Sequence, residues 1–207
     1  MRRIATFLML VIPLNLISQD LFVQIEQHHG ISNFSRQLLP YKLKYSFEYG
    51  LSAGIPLTDI IEVKIGAYFQ QAGAAAELWF DGVENLGPEN SNRQIYNVDF
   101  LKIPVDLNLV FGEDIKLSIG IGGYYSFHLK STFETNSEEG NISAFNPSIV
   151  EMSNNDYGIR ISPSLLLQLS EKVILQLGIL QEFGLYQFIT DTRQYSTYLT
   201  TGIRYAL

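Results

Sequence analysis

The feature that most constrains this chain is a regular alternation of apolar and polar residues between Tyr41 and Leu57. Every odd-numbered position in this segment is apolar, and almost every even-numbered position is polar or small. Side chains of a β-strand point alternately to its two faces, so the segment predicts a strand with one apolar and one polar face. It runs over roughly seventeen residues, whereas strands of soluble proteins have about 5–6. An apolar face of that length needs either a large core or lipid to cover it.

The amino terminus has the pattern of a secretory signal peptide. A basic start, Met1-Arg2-Arg3, is followed by an apolar run over Ile4–Ile17 and by the polar junction Ser18-Gln19-Asp20. The apolar run is short for a membrane-spanning anchor, which favours removal over retention. The sequence therefore predicts a signal peptide over 1–18, cleaved near Ser18, and a single exported domain over 19–207.

Composition narrows the classes of protein that this domain can belong to. The chain has no cysteine, which excludes a lipoprotein anchor and a disulfide framework. Removing the two arginines of the signal peptide from 14 basic residues leaves 12 against 21 acidic residues, a net charge of −9. With no basic stripe or recognition motif, this balance argues against nucleic acid as a partner. No other stretch approaches the roughly 20 apolar residues of a membrane helix.

The alternation recurs along the chain and predicts eight strands. They are Leu21–Ile31, Tyr41–Leu57, Ile61–Gln70, Leu101–Phe111, Ile115–Lys130, Tyr157–Leu169, Val173–Tyr186 and Tyr195–Leu207. An even number of strands suits a closed antiparallel sheet, which leaves no unpaired edge in a bilayer. The predicted fold is an all-β, eight-stranded antiparallel up-and-down transmembrane β-barrel.

The connections between these strands alternate between short and long. The short ones are Thr58-Asp59, Gly112–Asp114 and Ser170–Lys172, and the longer ones are Ser32–Pro40, Gly73–Asn97, Ser131–Asn155 and Ile189–Gln194. Outer-membrane barrels have short periplasmic turns and longer extracellular loops. The pattern therefore predicts a Gram-negative outer-membrane protein with both termini on the periplasmic side.

Aromatic residues cluster near the ends of the predicted strands. The set is Tyr41, Tyr45, Phe69, Phe100, Phe111, Phe127, Tyr157, Tyr195 and Tyr205. Aromatic belts at the two membrane interfaces would explain their position, although aromatic residues also favour strands in general.

If the odd-numbered face meets lipid, the even-numbered face lines the barrel interior. That face carries Glu26, Lys42, Lys44, Glu48, Glu62, Lys64, Lys102, Asp106, Lys116, Lys130, Arg160, Glu182 and Arg204. Charges of both signs can pair there, as a narrow interior requires. An eight-stranded barrel is just wide enough for side chains to fill it, and inward glycines leave room for long neighbours. We therefore predict a plugged polar interior and not a channel.

The sequence offers no strong metal or catalytic site. His28 and His29 are adjacent and point to opposite faces, whereas His28 and His128 both face inward and form at most a two-ligand site. No Gly-x-Ser-x-Gly elbow occurs, and the inward Glu62 and Asp106 are accompanied by lysines, so ion pairing is the simpler interpretation. We predict no catalytic, cofactor-binding or metal-binding residues and no cofactor.

Several short segments resemble the PorT-like outer-membrane β-barrel family of Bacteroidetes. They are Gly66–Gly73 (GAYFQQAG), Phe100–Leu107 (FLKIPVDL), Gly120–Tyr125 (GIGGYY), Asn155–Gly158 (NDYG), Gly184-Leu185 and Thr201–Tyr205 (TGIRY). The chain departs from the family at Lys102, where an acidic residue is usual, and at Leu207, where the barrel-assembly machinery usually meets a terminal aromatic residue. The resemblance implies an outer-membrane barrel, and it also implies a tie to secretion, because the founding member is associated with the type IX pathway.

These observations leave four functional hypotheses. The first is an integral outer-membrane barrel without a catalytic site, in a structural, interaction or secretion-accessory role. Its expected partners are outer-membrane lipid, the barrel-assembly machinery and other envelope or secretion proteins. The alternatives are a small outer-membrane enzyme acting on lipid or peptide, a soluble lipocalin-like ligand-binding barrel, and a narrow pore.

Overall fold

The structure is a computed structural model that describes residues 21–35, 41–78, 92–113, 115–136, 155–185 and 193–207. The predicted signal peptide over 1–18 and its cleavage bond lie outside these residues. Within the described ranges, no helix has the length and apolarity needed to cross a membrane.

The described residues form nine strands. Their bounds are β1 Phe22–Ser35, β2 Tyr41–Lys42, β3 Lys44–Pro56, β4 Ile61–Leu78, β5 Asn92–Phe111, β6 Ile115–Asn136, β7 Asn155–Gln168, β8 Val173–Gly184 and β9 Arg193–Ala206. The short β2 and the longer β3 lie end to end on either side of Leu43, and both pair with β4. Counted as one strand of the barrel, β2 and β3 bring the total to eight.

The eight strands close into an antiparallel barrel. The order around the barrel is β3, β1, β9, β8, β7, β6, β5 and β4, and β4 pairs back to β3. The closing ladder joins β1 to β9 from Phe22 opposite Ala206 to Ser35 opposite Arg193. Because closure removes the unpaired edges of a sheet, the backbone can cross a bilayer with its polar groups satisfied. The predicted eight-stranded antiparallel barrel is confirmed.

The strands are staggered as they follow the barrel wall. Moving from each residue to its partner once around the barrel, a path that starts at Ile174 returns to β8 at Gly184, ten residues further along. Such a stagger accompanies strands that tilt relative to the barrel axis, and at eight strands it leaves an interior that side chains can fill.

The two ends of the barrel differ in the length of their connections. The short-turn end has the connections 57–60, 112–114 and 169–172, and the long-loop end has 36–40, 79–91, 137–154 and 185–192. Gly112 has a φ of 105°, a left-handed conformation that glycine adopts readily in a tight turn. The Leu207 backbone N–H donates to the Leu21 carbonyl at 2.9 Å, so both described chain ends lie at the short-turn end. The predicted asymmetry of the connections is confirmed.

The strands extend further toward the long-loop end than the alternation indicates. β4 continues to Leu78 and β5 begins at Asn92, although Gly73–Asn97 is predicted to be a loop. β6 likewise continues to Asn136, inside the predicted loop Ser131–Asn155. Backbone pairing continues there although the sequence no longer alternates regularly between apolar and polar residues.

Inward and outward positions follow the predicted parity. Between Asp156 and Leu166 of β7 the even-numbered side chains are buried and the odd-numbered ones exposed; Arg160 is 1% exposed and its neighbour Ile159 is 45% exposed. On β5, Asp106 is buried and Leu107 is 47% exposed. A charged interior and an apolar exterior are the reverse of a soluble protein and fit a barrel in lipid.

Two lysines predicted to line the interior do not, because β-bulges change the parity of their strands. In β6, Asp99 lies opposite Lys130 but Phe100 lies opposite His128, so Leu129 is an extra residue. Lys130 beyond this bulge is exposed. A bulge of this kind re-aims the side chains that follow it.

The second change of parity lies between β2 and β3. Lys42 lies opposite Ala75 and Phe47 opposite Gln71, so five steps along one strand match four along the other. The extra residue interrupts the alternation of apolar and polar residues that begins at Tyr41, and Lys42 is exposed. The prediction that Lys42 and Lys130 line the interior is wrong for this reason.

Most of the predicted aromatic belt lies on the outer surface. Tyr45, Phe127 and Tyr157 are exposed toward the long-loop end, and Tyr205 is exposed near the short-turn end. Phe100 is the exception, because it points inward and is fully buried. Its assignment to the belt is wrong, since its even position puts it on the interior face.

We expect Leu107→Arg to destabilise the barrel in lipid by about 2–4 kcal/mol, because it places a charge on the lipid-facing surface. Urea titration in lipid vesicles, followed by circular dichroism, measures this. Glu113→Arg introduces the same side chain at the exposed short-turn end and should have little effect. Equal stability of the two variants would mean that Leu107 does not face hydrocarbon.

Candidate functional site

The centre of the barrel interior contains an ion pair that crosses the lumen. Lys102 on β5 places its Nζ 2.7 Å from Oε2 of Glu48 on β3 and 2.6 Å from Oε2 of Glu182 on β8. All three side chains are almost completely buried. Going the shorter way around the barrel, β6 and β7 lie between β5 and β8. The Lys102–Glu182 contact therefore crosses the interior from β5 to β8.

Arg160 on β7 links this centre to a second group of charges. Its Nε lies 3.4 Å from Asp106 Oδ1, and its Nη1 lies 3.9 Å from Glu48 Oε1 and 4.0 Å from Glu182 Oε1. Its guanidinium carbon lies 5.8 Å from the centre of the Tyr68 ring. One buried cation therefore interacts with three carboxylates, each from a different strand.

The second group of charges lies closer to the short-turn end. Lys64 Nζ is 2.9 Å from Glu26 Oε1 and 3.9 Å from Asp106 Oδ2. Glu26 also accepts hydrogen bonds from Ser52 Oγ at 3.0 Å and from the Tyr68 hydroxyl. The buried carboxylate of Glu26 is thus paired and hydrogen-bonded, as burial of a charge requires.

The interior is closed at the short-turn end by Arg204. Its Nη1 donates to both oxygens of Glu62, at 2.9 and 3.0 Å, and its Nε donates to Gln24 at 3.3 Å. The guanidinium carbon lies 3.8 Å from the centre of the Phe22 ring, which gives a cation–π contact. Gln24 in turn donates to Gln176 at 2.5 Å.

Apolar side chains occupy the interior toward the long-loop end. The cluster contains Phe34, Ala72, Ala74, Val98 and Phe100, which are almost completely buried, with Tyr96 packed against it. The charged layers therefore lie between Arg204 with Phe22 on one side and an apolar cluster on the other.

Inward glycines make room for the larger side chains, as predicted. A Cβ atom at Gly66 would overlap the ring of Tyr68, and one at Gly54 would overlap the ring of Phe22. The absence of a side chain at these positions lets neighbouring rings lie flat against the wall.

The three histidines lie in different surroundings. His28 is buried, with Nδ1 3.1 Å from Thr200 Oγ1 and Nε2 4.0 Å from Glu48 Oε1. His29 faces outward and its Nδ1 lies 2.6 Å from the Tyr45 hydroxyl. The opposite directions of His28 and His29 match the prediction. Among the described side chains, no group of three or more His, Asp or Glu residues could hold a metal ion.

The structure brings together one serine–histidine pair that sequence reasoning missed. Ser131 Oγ lies 2.7 Å from His128 Nε2, near the long-loop end. In a regular strand, residues three apart point to opposite faces. The extra residue Leu129 puts both on the inward side, where Ser131 lies opposite the buried Val98. No sequence pattern marks that bulge.

Comparison with known families identifies the class of barrel. A family model described as the outer membrane protein beta-barrel domain matches residues 18–189. The chain belongs to this outer-membrane β-barrel family. The short-turn end is accordingly the periplasmic end and the long-loop end the extracellular end.

Solved structures agree with the fold of this outer-membrane barrel. The crystal structure of Neisserial surface protein A matches with a TM-score of 0.51 and 13% identity, over 90% of this chain and 97% of that chain. OprG from Pseudomonas aeruginosa (0.45, 11%, covering 91% and 97%) and Ail from Yersinia pestis (0.42, 11%, covering 90% and 99%) also match. The likeness to Neisserial surface protein A, at 13% identity, shows the fold alone. Comparison with curated protein sequences gives no match.

We expect Lys102→Met to destabilise the barrel by about 3–5 kcal/mol, because it removes the cation closest to the buried carboxylates of Glu48 and Glu182 and leaves them only the more distant Arg160. Urea titration in lipid vesicles measures the change. Lys130→Met removes an exposed lysine and serves as the control.

A double variant keeps this test informative if Lys102→Met does not fold. Lys102→Met with Glu182→Gln removes one cation and one carboxylate together, so the charge of the interior stays balanced and Glu48 retains Arg160. The double variant should recover part of the lost stability. A single variant as stable as the wild type would show that the three charges do not depend on one another.

Proposed function

We propose that this protein is a closed outer-membrane barrel with a structural or interaction role, and neither a channel nor an enzyme. The observation that carries the proposal is the ion pair of Lys102 with Glu48 and Glu182, which spans the lumen at 2.6 to 2.7 Å. A barrel whose interior is occupied in this way presents only its outer surface and its two ends to other molecules.

Two features support a closed lumen over a narrow pore. The charged layers are bounded by the Arg204–Phe22 contact at the periplasmic end and by the apolar cluster around Phe34 and Phe100 at the extracellular end. Water-filled channels occur in barrels of 16–18 strands, whereas eight strands enclose space for side chains or for one small ligand.

The same interior argues against a lipocalin-like ligand-binding barrel. Such a barrel encloses an apolar ligand in an apolar cavity, whereas buried charged residues fill the centre of this one. Its apolar residues lie on the outside instead, where Ile25 is 66% and Leu51 62% exposed.

The enzyme alternative has one specific observation in its favour, the contact between Ser131 and His128. A serine held by a histidine base is the minimal arrangement for nucleophilic catalysis. The two residues are, however, three positions apart on one strand, and the bulge at Leu129 accounts for their contact. We therefore interpret the contact between Ser131 and His128 as structural, at the extracellular end of β6.

The finer role that we propose is that of a secretion accessory, on the strength of the PorT-like segments. Outer-membrane lipid, the barrel-assembly machinery and other envelope proteins are its proposed partners. Recovery of secretion proteins with the tagged barrel, after mild extraction of native membranes, would support that role. Recovery of the assembly machinery alone would leave only the structural role.

In planar lipid bilayers we expect the purified barrel to produce no stepwise conductance, because the ion pairs and both closures block the lumen. A 16-stranded porin in the same lipid is the positive control. Conductance steps whose size changes in Lys102→Gln but not in Lys130→Gln would show that ions pass through the lumen. That result would overturn the closed-barrel proposal.

With a fluorophosphonate probe we expect wild-type protein to label no more than Ser131→Ala, because the serine–histidine contact is structural. Labelling is read by in-gel fluorescence of folded protein in detergent. Labelling that is lost in both Ser131→Ala and His128→Gln would instead establish an activated serine, and with it the enzyme alternative.

A further inference from the structure

The lipid-facing surface of the barrel is polar on one side only. Between Tyr45 and Ile55 on β3, and on the matching segments 61–69, 101–111, 115–127 and 157–167 of β4 to β7, the outward positions are apolar or aromatic, apart from Gly123 and Pro163. The outward positions of β8, β9 and β1 differ. They include a group that we call the polar stripe, formed by Gln27, His29, Gln181, Thr197 and Thr201.

The polar stripe lies within the apolar band and not at its border. Gln27 lies opposite Thr201, and the outward pair directly below it is Ile25 with Ile203. Higher on the barrel, the outward pair above Gln181 and Thr197 is Phe183 with Tyr195. Apolar residues therefore flank the stripe toward both ends of the barrel.

Hydrogen bonds within the chain satisfy only part of the stripe. Thr197 Oγ1 donates to Gln181 Oε1 at 2.6 Å, and His29 bonds to Tyr45. Within the described part of the chain, the side chain of Gln27 makes no hydrogen bond, and it is exposed. A primary amide that faces hydrocarbon without a partner costs several kcal/mol, so this position favours contact with protein over contact with lipid.

The surface around Gln27 also has a shape that another protein can fill. A groove of about 500 Å³ runs along the outside of the barrel, lined among others by Ile25, Gln27, Tyr49, Leu175, Thr201 and Ile203. Next to it, on β9, Leu199 projects with 69% of its surface exposed. A concave and a convex element thus lie side by side on the same face.

We propose that the polar stripe is the surface through which two copies of this chain pair in the outer membrane. A two-fold interface brings the same patch of both copies together, so the patch must complement itself. This one meets that requirement: a glutamine amide both donates and accepts hydrogen bonds, and the patch carries both the groove and the projecting Leu199 that would fill the groove of the other copy. The stripe contains no Lys, Arg, Asp or Glu, so two copies do not repel each other there.

This inference deepens the interaction role proposed above by naming a second copy as the partner. It rests on that role but not on the closed lumen, because pairing and conductance are measured separately. A conducting barrel that pairs would overturn only the closed-lumen proposal, and a silent barrel that does not pair would overturn only the present one.

Single-cysteine crosslinking tests the pairing directly, because the chain has no native cysteine. Ile203→Cys places one thiol in the groove beside the stripe and leaves Gln27 intact, and Leu107→Cys places one on the apolar surface of β5. In native membranes treated with a short bismaleimide, we expect about tenfold more crosslinked dimer from Ile203→Cys than from Leu107→Cys. Equal yields, or an Ile203→Cys adduct with a different protein and none with itself, would overturn the proposal.

A second variant separates pairing from folding. Gln27→Leu with Thr201→Val makes the stripe apolar and should lower self-association, measured by energy transfer between labelled copies in dilute vesicles. Its stability in urea should not fall, because the outward surface becomes better suited to lipid. Undiminished self-association in this folded variant would show that the copies meet elsewhere or not specifically.

Discussion

The ladder between β1 and β9 joins the first strand to the last over fourteen residue pairs, and it turns a sheet into a barrel. In hydrocarbon a backbone N–H or C=O without a partner costs several kcal/mol, so an open eight-stranded sheet would be unstable there. Closure in turn fixes which side chains face inward. The charged interior, the apolar exterior and the separation of the two ends all depend on that ladder.

Within the closed wall, the interior is a problem of charge balance more than of apolar packing. Counting the half-buried Lys44 and Lys116 at its two ends, the described interior contains six cationic and six carboxylate side chains. The other cations are Lys64, Lys102, Arg160 and Arg204, and the carboxylates are Glu26, Glu48, Glu62, Asp106, Asp156 and Glu182. Buried ion pairs add little net stability, because desolvation offsets their attraction. Their contribution is to disfavour strands that pair out of register, because a strand shifted along its neighbour would leave a buried charge without a partner.

The alternation of the sequence predicts much of this fold because the period of a strand is local. Asp106 and Leu107 point to opposite faces because consecutive residues of a strand alternate between its two faces. Bulges are different, since the extra residue at Leu129 depends on how β6 meets β5 and leaves no local pattern. For that reason the alternation predicts the wrong surface for Lys130 and does not reveal the contact between His128 and Ser131.

The partners within the charged interior could be predicted only as a set. Parity places Lys102, Glu48 and Glu182 on one face, but it does not say which charges meet across the lumen. That depends on the stagger of ten residues around the barrel, which is a property of the closed sheet. The apolar cluster near Phe34 and Phe100 was missed for a related reason, because strands that extend past the lipid carry no alternating signal.

The central lysine also has a consequence for the order in which the barrel is assembled. Lys102 lies 54 residues after one carboxylate partner and 80 residues before the other, so its second contact exists only once β8 has taken its place. An intermediate that lacks the last two strands has both an open edge and an incompletely neutralised lumen. Contacts so distant in sequence form slowly, because the loops between them must first close. The final hairpin therefore completes both the wall and the charge balance, and a truncated chain would have neither.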